Sequence, residues 1–269
     1  MRINTNVNAM IATNQMTKNT ALAGNSMEKL STGLRITKAG DDAAGLAVSE
    51  KMRAQIRGME QAERNVQDGI SMVQTAEGAL EEAGNIAQRM RELSIQAGND
   101  TLNTEDRTKI KTELEQLQKE MTNISKETTF NGNALLDGTK AKFTIQAGAN
   151  SEVREIEMES LASTASSLAS VDVADVSKAQ AFTTKVDKAL EAINTGRSKL
   201  GAMQNRLEYT SSNLTTSTEN LSAAESRIRD VDVAKEMVKL SKLNILNQAS
   251  QAMVSQAKQQ PESVTQLLR

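Results

Sequence analysis

Two pairs of carboxylates are where residue type and spacing in this sequence first invite chemistry. Asp41-Asp42 could hold a divalent cation, and Asp230 with Asp232 could form a general acid–base dyad. Both have a plainer reading. Asp41-Asp42 precedes AAGLAVSEKM, so these carboxylates sit where a helix begins and can cap its free N–H groups. Asp230 and Asp232 stand beside Arg227 and Arg229 and are expected to form ion pairs at a joint of the chain. Nothing else supplies a catalytic partner, because the 269 residues include no Cys, no His and no Trp. Their absence removes thiol nucleophiles, Ser-His and Cys-His pairs, zinc sites and haem ligation. The glycines form no G-x-x-x-x-G-K phosphate loop. The expectation is a protein that is not an enzyme and that uses no cofactor and no metal.

Binding chemistry is equally thin. With 32 basic and 34 acidic residues the net charge is -2, which gives no basic footprint for nucleic acid. Phe130, Phe143, Phe182 and Tyr209 are too few to stack bases or sugars. No apolar run reaches 18 residues, so no membrane insertion is expected. The opening stretch MRINTNVNAMIATNQMTKNTALAG lacks the apolar core of a secretory leader, so any export is expected to proceed without a cleaved signal.

The elements that must position these residues are mostly helices. Val186, Ile193, Leu200, Leu207, Leu214, Leu221 and Ile228 recur every seven residues, accompanied by Ala189, Gly196, Met203, Thr210, Ser217, Ala224 and Val231. Such a repeat keeps one apolar seam against a partner along a supercoiled helix. A second seam runs Met59, Ala62, Val66, Gly69, Val73, Ala76, Leu80, Ala83, Ala87, Met90, Ser94 and Ala97; its small residues allow close approach. This helix is expected to stop at Gly98 in the left-handed conformation. A shorter helix carries Ile110, Leu114, Leu117, Met121 and Ile124, with Asn103 or Thr104 as cap. Between them, Phe130-Asn131-Gly132 and Asp137-Gly138 mark turns. Phe143, Ile145 and Ala147, then Arg154, Ile156 and Met158, alternate as in two strands joined at Gly148–Ser151. Residues 160–177 read as a loop or weak helix.

A helix from about residue 43 to 98 would be roughly 80 Å long at ~1.5 Å per residue. A compact globule of this chain length is only ~50 Å across. The fold class predicted is therefore mainly α: an elongated rod of long antiparallel, coiled-coil-like helices with a small β-hairpin. Such a rod returns the chain to its starting end, where two amphipathic terminal segments can pair. The first holds Ile3, Val7, Met10, Leu22, Leu30 and Leu34; the second holds Met237, Leu240, Leu243, Leu246, Met253, Leu267 and Leu268. Both are too apolar for one pair alone, which predicts self-association through further copies.

Met27–Leu80 (MEKLSTGLRITKAGDDAAGLAVSEKMRAQ onward) resembles the N-terminal core of bacterial flagellins, and Asn205–Arg269 resembles their C-terminal core. FNGNALLDG at 130–138 and FTIQAGAN at 143–150 are similar to the hairpin region of the same family. The resemblance implies a minimal flagellin without large outer domains, a structural subunit polymerising into the bacterial flagellar filament for swimming. Alternatives still open are a hook-filament junction protein and a cytoplasmic coiled-coil scaffold. On the family's plan, residues 1–34 and 230–269 are inner-core helices and 35–43 a spoke. Residues 44–229 form a shaft, with helices about 44–98, 104–128 and 178–229, a β-hairpin about 141–158 and a short variable segment 160–177. Ile193, Leu200, Leu207, Leu214, Leu221 and Ile228 would then be the intrasubunit seam.

The resemblance further implies an extracellular, flagellar location reached by type III export. The partners it implies are other copies of the chain, a chaperone on the C-terminal segment, and filament cap and junction proteins. QRMREL at 88–93 is similar to the segment of flagellins that Toll-like receptor five recognises, which nominates Arg89, Leu93 and Glu113 as contacts. The Ser/Thr cluster Ser160, Ser163, Thr164, Ser166 and Ser167 could accept O-glycans or serve as a plain polar linker.

Overall fold

The computed structural model describes residues 6–267, with side chains to residue 259. In chain order the elements are α1 (Val7–Thr32), α2 (Ala43–Ala97), α3 (Thr104–Glu127), β1 (Thr129–Phe130), β2 (Asn133–Ala134), β3 (Lys142–Gln146), β4 (Val153–Glu157), α4 (Leu161–Ser167), α5 (Val176–Arg229) and α6 (Val233–Leu267). The protein is mainly α, as the periodicities predict; beside the expected β3–β4 hairpin a second one, β1–β2, forms at the Asn131-Gly132 turn. It divides into two compact units, Gln55–Glu219 and the terminal stretches Met1–Ala54 with Asn220–Arg269.

In the unit Gln55–Glu219, α2 and α5 run antiparallel. A methyl group at Gly84 would meet Ile193 Cγ2 at 3.7 Å, and one at Gly196 would meet Leu80 Cδ1 at 3.4 Å. Small residues on each helix thus face bulky ones on the other, which lets the backbones approach. Arg91–Asp187 at 2.6 Å, Ser94–Thr183 at 2.9 Å and Thr215–Glu63 at 3.2 Å continue the same antiparallel order. Val66, Val73, Ala76, Leu80, Ala87 and Met90 on α2, and Ile193, Leu200 and Leu207 on α5, are buried. At roughly 25 cal/mol per Å² of apolar area removed from water, this seam supplies the main driving force for the unit.

α3 starts at Asn103, whose side chain accepts from the Asp106 amide at 2.9 Å, and Glu105 and Asp106 favour the positive end of its dipole. Ile110, Leu114 and Met121 bury its apolar stripe. Arg107 donates to the Asn99 carbonyl at 3.1 Å, tying the turn after α2 to α3. The first hairpin pairs β1 with β2 around Asn131 (φ 49°) and Gly132 (φ 77°). This is the two-residue loop that Asn-Gly favours, because both central residues need positive φ. The second hairpin pairs Phe143 with Ile156 and Ile145 with Arg154.

Two expectations change. α2 ends at Ala97, but Gly98 does not take the left-handed conformation; its amide instead reaches the Ser94 and Ile95 carbonyls in a tightened last turn. The left-handed helix stop falls at Gly33, which ends α1 with φ 73°. Residues 160–177 are packed. Ser160 caps α4, and Leu161, Ala165, Leu168, Val171 and Val173 are buried. Their wide spacing among Ser and Ala conceals this core contribution in the sequence.

In the other unit α1 and α6 lie antiparallel. Asn6 Nδ2 donates to the Ala257 carbonyl at 2.6 Å near one end, and the Val231 amide donates to the Gly33 carbonyl at 3.0 Å near the other. The Arg35 amide donates to the Arg229 carbonyl at 2.6 Å, beside an antiparallel bridge between Leu34 and Asp230.

Candidate functional site

The paired terminal helices are the part of the protein whose surface departs most from that of a self-sufficient fold. The buried positions of α1 are polar, Asn19 and Ser26. Half-buried Ala12, Met16, Ala23 and Leu30 complete the face it turns to α6. Its larger apolar side chains point elsewhere: Val7, Met10, Ile11, Leu22 and Met27 are each about half exposed or more. Val7, Met10 and Ile11 are spaced i, i+3, i+4 and so share one face.

α6 repeats the arrangement. Leu243 is buried and Leu240 half-buried against α1, with Asn247 and Ser250 on the same side. Val238 and Ile245, seven residues apart, are 71% and 63% exposed. Leu246 and Met253, also seven apart, form the adjoining row, and Val233 and Met237 continue the surface. A groove of about 600 Å³ runs between the helices, lined by Ile11, Gln15 and Asn19 from α1 and Leu246, Ser250 and Met253 from α6. Asn19 Nδ2 and Asn247 Oδ1 are buried without a hydrogen-bond partner among the described residues. Unpaired polar atoms inside and apolar side chains outside make the isolated pair weak.

The contrast with the rest of the chain is sharp. Across Gln55–Glu219 only Ile95, Val153 and Tyr209 are large, apolar or aromatic and exposed. Among the described residues the α1–α6 surface has eleven such side chains, and Val48 near the start of α2 adds another in the same unit. Extended apolar surface of this kind marks contact with another molecule.

The nominated assembly residues therefore separate. Val7, Met10, Leu22, Met237, Leu246 and Met253 are exposed, whereas Leu30, Leu34 and Leu240 are half-buried and Leu243 is buried within the subunit. Ile3 and Leu268 lie outside the described residues, as does the side chain of Leu267. Sequence reasoning did not nominate Ile11, Val238 and Ile245, which are exposed on the same two helices. The second seven-residue spacing on α6 is the signal that could have found the last two. Of the seam, Ile193, Leu200, Leu207 and Leu214 are buried and Leu221 and Ile228 half-buried.

The carboxylate pairs are structural. Asp42 Oδ1 accepts from the Gly45 amide at 2.8 Å and caps α2. Asp41 accepts from the Thr37 and Lys38 amides and the Thr37 hydroxyl, which hold its carboxyl below the usual carboxylate range. The ion pairs expected between Asp230 or Asp232 and Arg227 or Arg229 are not formed. Asp230 accepts from the Ser226 hydroxyl at 2.6 Å, and Asp232 caps α6 by accepting from the Lys235 amide at 3.1 Å. Arg229 instead reaches Glu50 on α2. At Asp232 the start of α6 supplies unsatisfied N–H groups that a short Asp side chain reaches readily, and Asp230, just past the end of α5, is held by the hydroxyl one turn back. No metal-binding cluster of His, Cys, Asp or Glu occurs among the described residues. Among the same residues no helix is long and apolar enough to cross a membrane.

Arg89 and Glu113 meet on the surface: Arg89 Nη2 lies 2.9 Å from Glu113 Oε1, and Nε also donates to that oxygen at 3.2 Å. Leu93 does not join them there. It is 2% exposed, buried in the core of its unit one helical turn beyond Arg89. The heptad seam of α2 includes Met90, Leu93 and Ala97, and it draws Leu93 inward.

These features define a helical structural protein whose terminal helices present apolar surface for other molecules to cover. The model of the bacterial flagellin N-terminal helical region matches residues 3–141, and that of the bacterial flagellin C-terminal helical region matches residues 183–268. A flagellin of Halalkalibacterium halodurans is 54% identical over 272 residues, covering all of both chains. A flagellin of Bacillus subtilis is 47% identical over 306 residues, again covering all of both. The crystal structure of Bacillus cereus flagellin, 33% identical, superposes with a TM-score of 0.51 over 60% of this chain and 94% of that one. The chain belongs to the bacterial flagellin family, and its role is that of a structural subunit of the flagellar filament.

Proposed function

We propose that α1 and α6 form the polymerising part of this filament subunit. Val7, Met10, Ile11 and Leu22 on α1, and Met237, Val238, Ile245, Leu246 and Met253 on α6, pack against other copies; Ile3, Leu267 and Leu268 are assigned the same role on the sequence pattern alone. Leu30, Leu34, Leu240 and Leu243 serve the pairing of the two helices within one copy. The observation that carries this reading is the inverted polarity of the pair: Asn19 and Ser26 are inside while Val238 and Ile245 are outside.

Magnitudes favour many neighbours over one. Burying a Val, Leu, Ile or Met side chain fully is worth roughly 1.5–3 kcal/mol, so eleven half-covered ones offer on the order of 10 kcal/mol. Fixing one copy on another costs ~4–15 kcal/mol. One neighbour covering part of the surface gains little, whereas a helical polymer that surrounds each subunit covers all of it.

On this reading residues 1–34 and 230–269 are the inner core, 35–43 the spoke and 44–229 the shaft that the Ile193–Leu214 seam stiffens. The chain works by packing and transmits torque; it has neither thiol nor imidazole for catalysis. An export chaperone covers the C-terminal segment before assembly, since the exposed α6 rows would otherwise associate early. Cap and junction proteins meet the terminal surfaces at the filament ends. Export proceeds through the flagellar channel. Host recognition by Toll-like receptor five rests on Arg89 and Glu113, with Leu93 supporting the helix from within. A reconstruction of the filament tests the assignment. It places the Val238 and Ile245 row in contacts between copies near the axis; finding that row on the outer surface would overturn it.

A further inference from the structure

The methionines of this chain are segregated. Met59, Met72, Met90, Met121 and Met158, all in the unit Gln55–Glu219, are buried, and Met16, Met52 and Met203 are half-buried. Among the described residues the exposed ones are Met10, Met27, Met237 and Met253, at 55%, 60%, 53% and 60%, and each lies on α1 or α6. Met253 also lines the groove between those helices. The chain has no Cys, His or Trp, so thioethers are its principal targets for mild two-electron oxidants.

We propose that Met10, Met27, Met237 and Met253 are an oxidation site set through which peroxides arrest assembly of the free subunit. The inference rests on the reading of α1 and α6 as the polymerising surface. A thioether sulfur attacks one peroxide oxygen, the O–O bond breaks, and an S–O bond forms. The sulfur is oxidised by two electrons, and hydrogen peroxide is reduced to water. A flexible apolar side chain thereby becomes a polar one with a strong acceptor. Packing that acceptor into an apolar contact leaves it without a donor, so each sulfoxide opposes association. The buried methionines of Gln55–Glu219 are shielded, and that unit keeps its fold. Once assembled, the four thioethers are covered, so the polymer resists an oxidant that disables the monomer. Methionine sulfoxide reductases reverse the change, one enzyme for each sulfoxide epimer.

The test uses full-length subunit treated with hydrogen peroxide before or after polymerisation, with sulfoxides located by peptide mass mapping. Expected are early oxidation at these four sites in the monomer and slower oxidation in filaments. The critical concentration for polymerisation should rise by roughly tenfold or more and recover after treatment with both reductases. A variant with Met10→Leu, Met27→Leu, Met237→Leu and Met253→Leu, which nearly conserves volume, should polymerise equally with and without peroxide. Earlier oxidation at Met72 or Met90, or normal polymerisation with all four sites oxidised, overturns the proposal. If a Val238→Asp, Ile245→Asp variant fails to polymerise while fully oxidised subunit polymerises normally, only the oxidation inference falls. If that aspartate variant itself polymerises normally, the assembly surface is wrongly placed.

Discussion

Arg229, the last residue of α5, places Nη1 2.5 Å from Glu50 Oε1 on α2, and its side chain is only 12% exposed. The Arg35 amide donates to the carbonyl of the same residue, and the Arg35 guanidinium donates to the Ile228 carbonyl. Arg229 therefore joins three segments of one unit: the end of α5, the stretch after α1, and the start of α2.

A pH dependence follows from this pair. Arg229 beside Glu50 holds the glutamate carboxyl below its ordinary value. A depressed folded-state value means the unfolded chain binds the proton more tightly, so folding is favoured where the carboxylate is ionised. The contribution is present at neutral pH and is lost as the pH falls through the acid range below the ordinary carboxylate value. Glu50→Gln should lower stability at pH 7 and flatten its loss between neutral and acid pH, as read from thermal melts across that range. An unchanged acid profile would contradict the role of the pair.

The α2–α5 seam should carry the stability of Gln55–Glu219. Leu200→Ala, at a position 1% exposed, should cost about 2–5 kcal/mol in urea unfolding. Tyr209→Ala on the same helix, 78% exposed, should change stability by less than about 0.5 kcal/mol.

The Asn131-Gly132 turn gives a sharper local test. Gly132→Ala places a side chain at φ 77° and should cost about 1–2 kcal/mol, with hydrogen exchange rising first in residues 129–134.

Arg89 and Leu93 should separate by experiment. Arg89→Ala breaks an exposed ion pair with Glu113 and should leave the urea midpoint nearly unchanged while reducing activation of Toll-like receptor five. Leu93→Ala empties a buried position and should lower the urea midpoint clearly, because it acts through the fold. Unchanged receptor activation by Arg89→Ala would remove that contact.

The seven-residue spacing of Ile193, Leu200, Leu207 and Leu214 made the α5 seam legible in the sequence, because each hit repeats the same physical requirement. Asn103 and Asp42 were legible as caps for the same reason: side-chain type and position both answer a fixed demand of the helix end. α4 was not. Leu161, Ala165 and Leu168 show too few turns for a period to emerge, and their burial depends on elements distant in sequence. The burial of Leu93 was not legible, because its place beside the exposed Arg89 and Glu92 hides its place in the α2 seam; packing decides its orientation, and packing is not visible in spacing alone. The assembly surface was half legible. Apolar residues on α1 and α6 were plain, but Leu243 facing inward and Ile245 facing outward differ by only two positions, and only the partner helix tells them apart.

The central claim is that the outward rows of α6 hold copies of the chain together. Its most direct test is sedimentation and electron microscopy of a Val238→Asp, Ile245→Asp variant, beside circular dichroism of its helices. Both side chains are among the most exposed apolar ones, so the subunit should keep its helical content and melting profile. The account predicts a folded protein that forms no filaments at concentrations where the parent chain polymerises fully. Filaments of normal yield and form from that variant would contradict it.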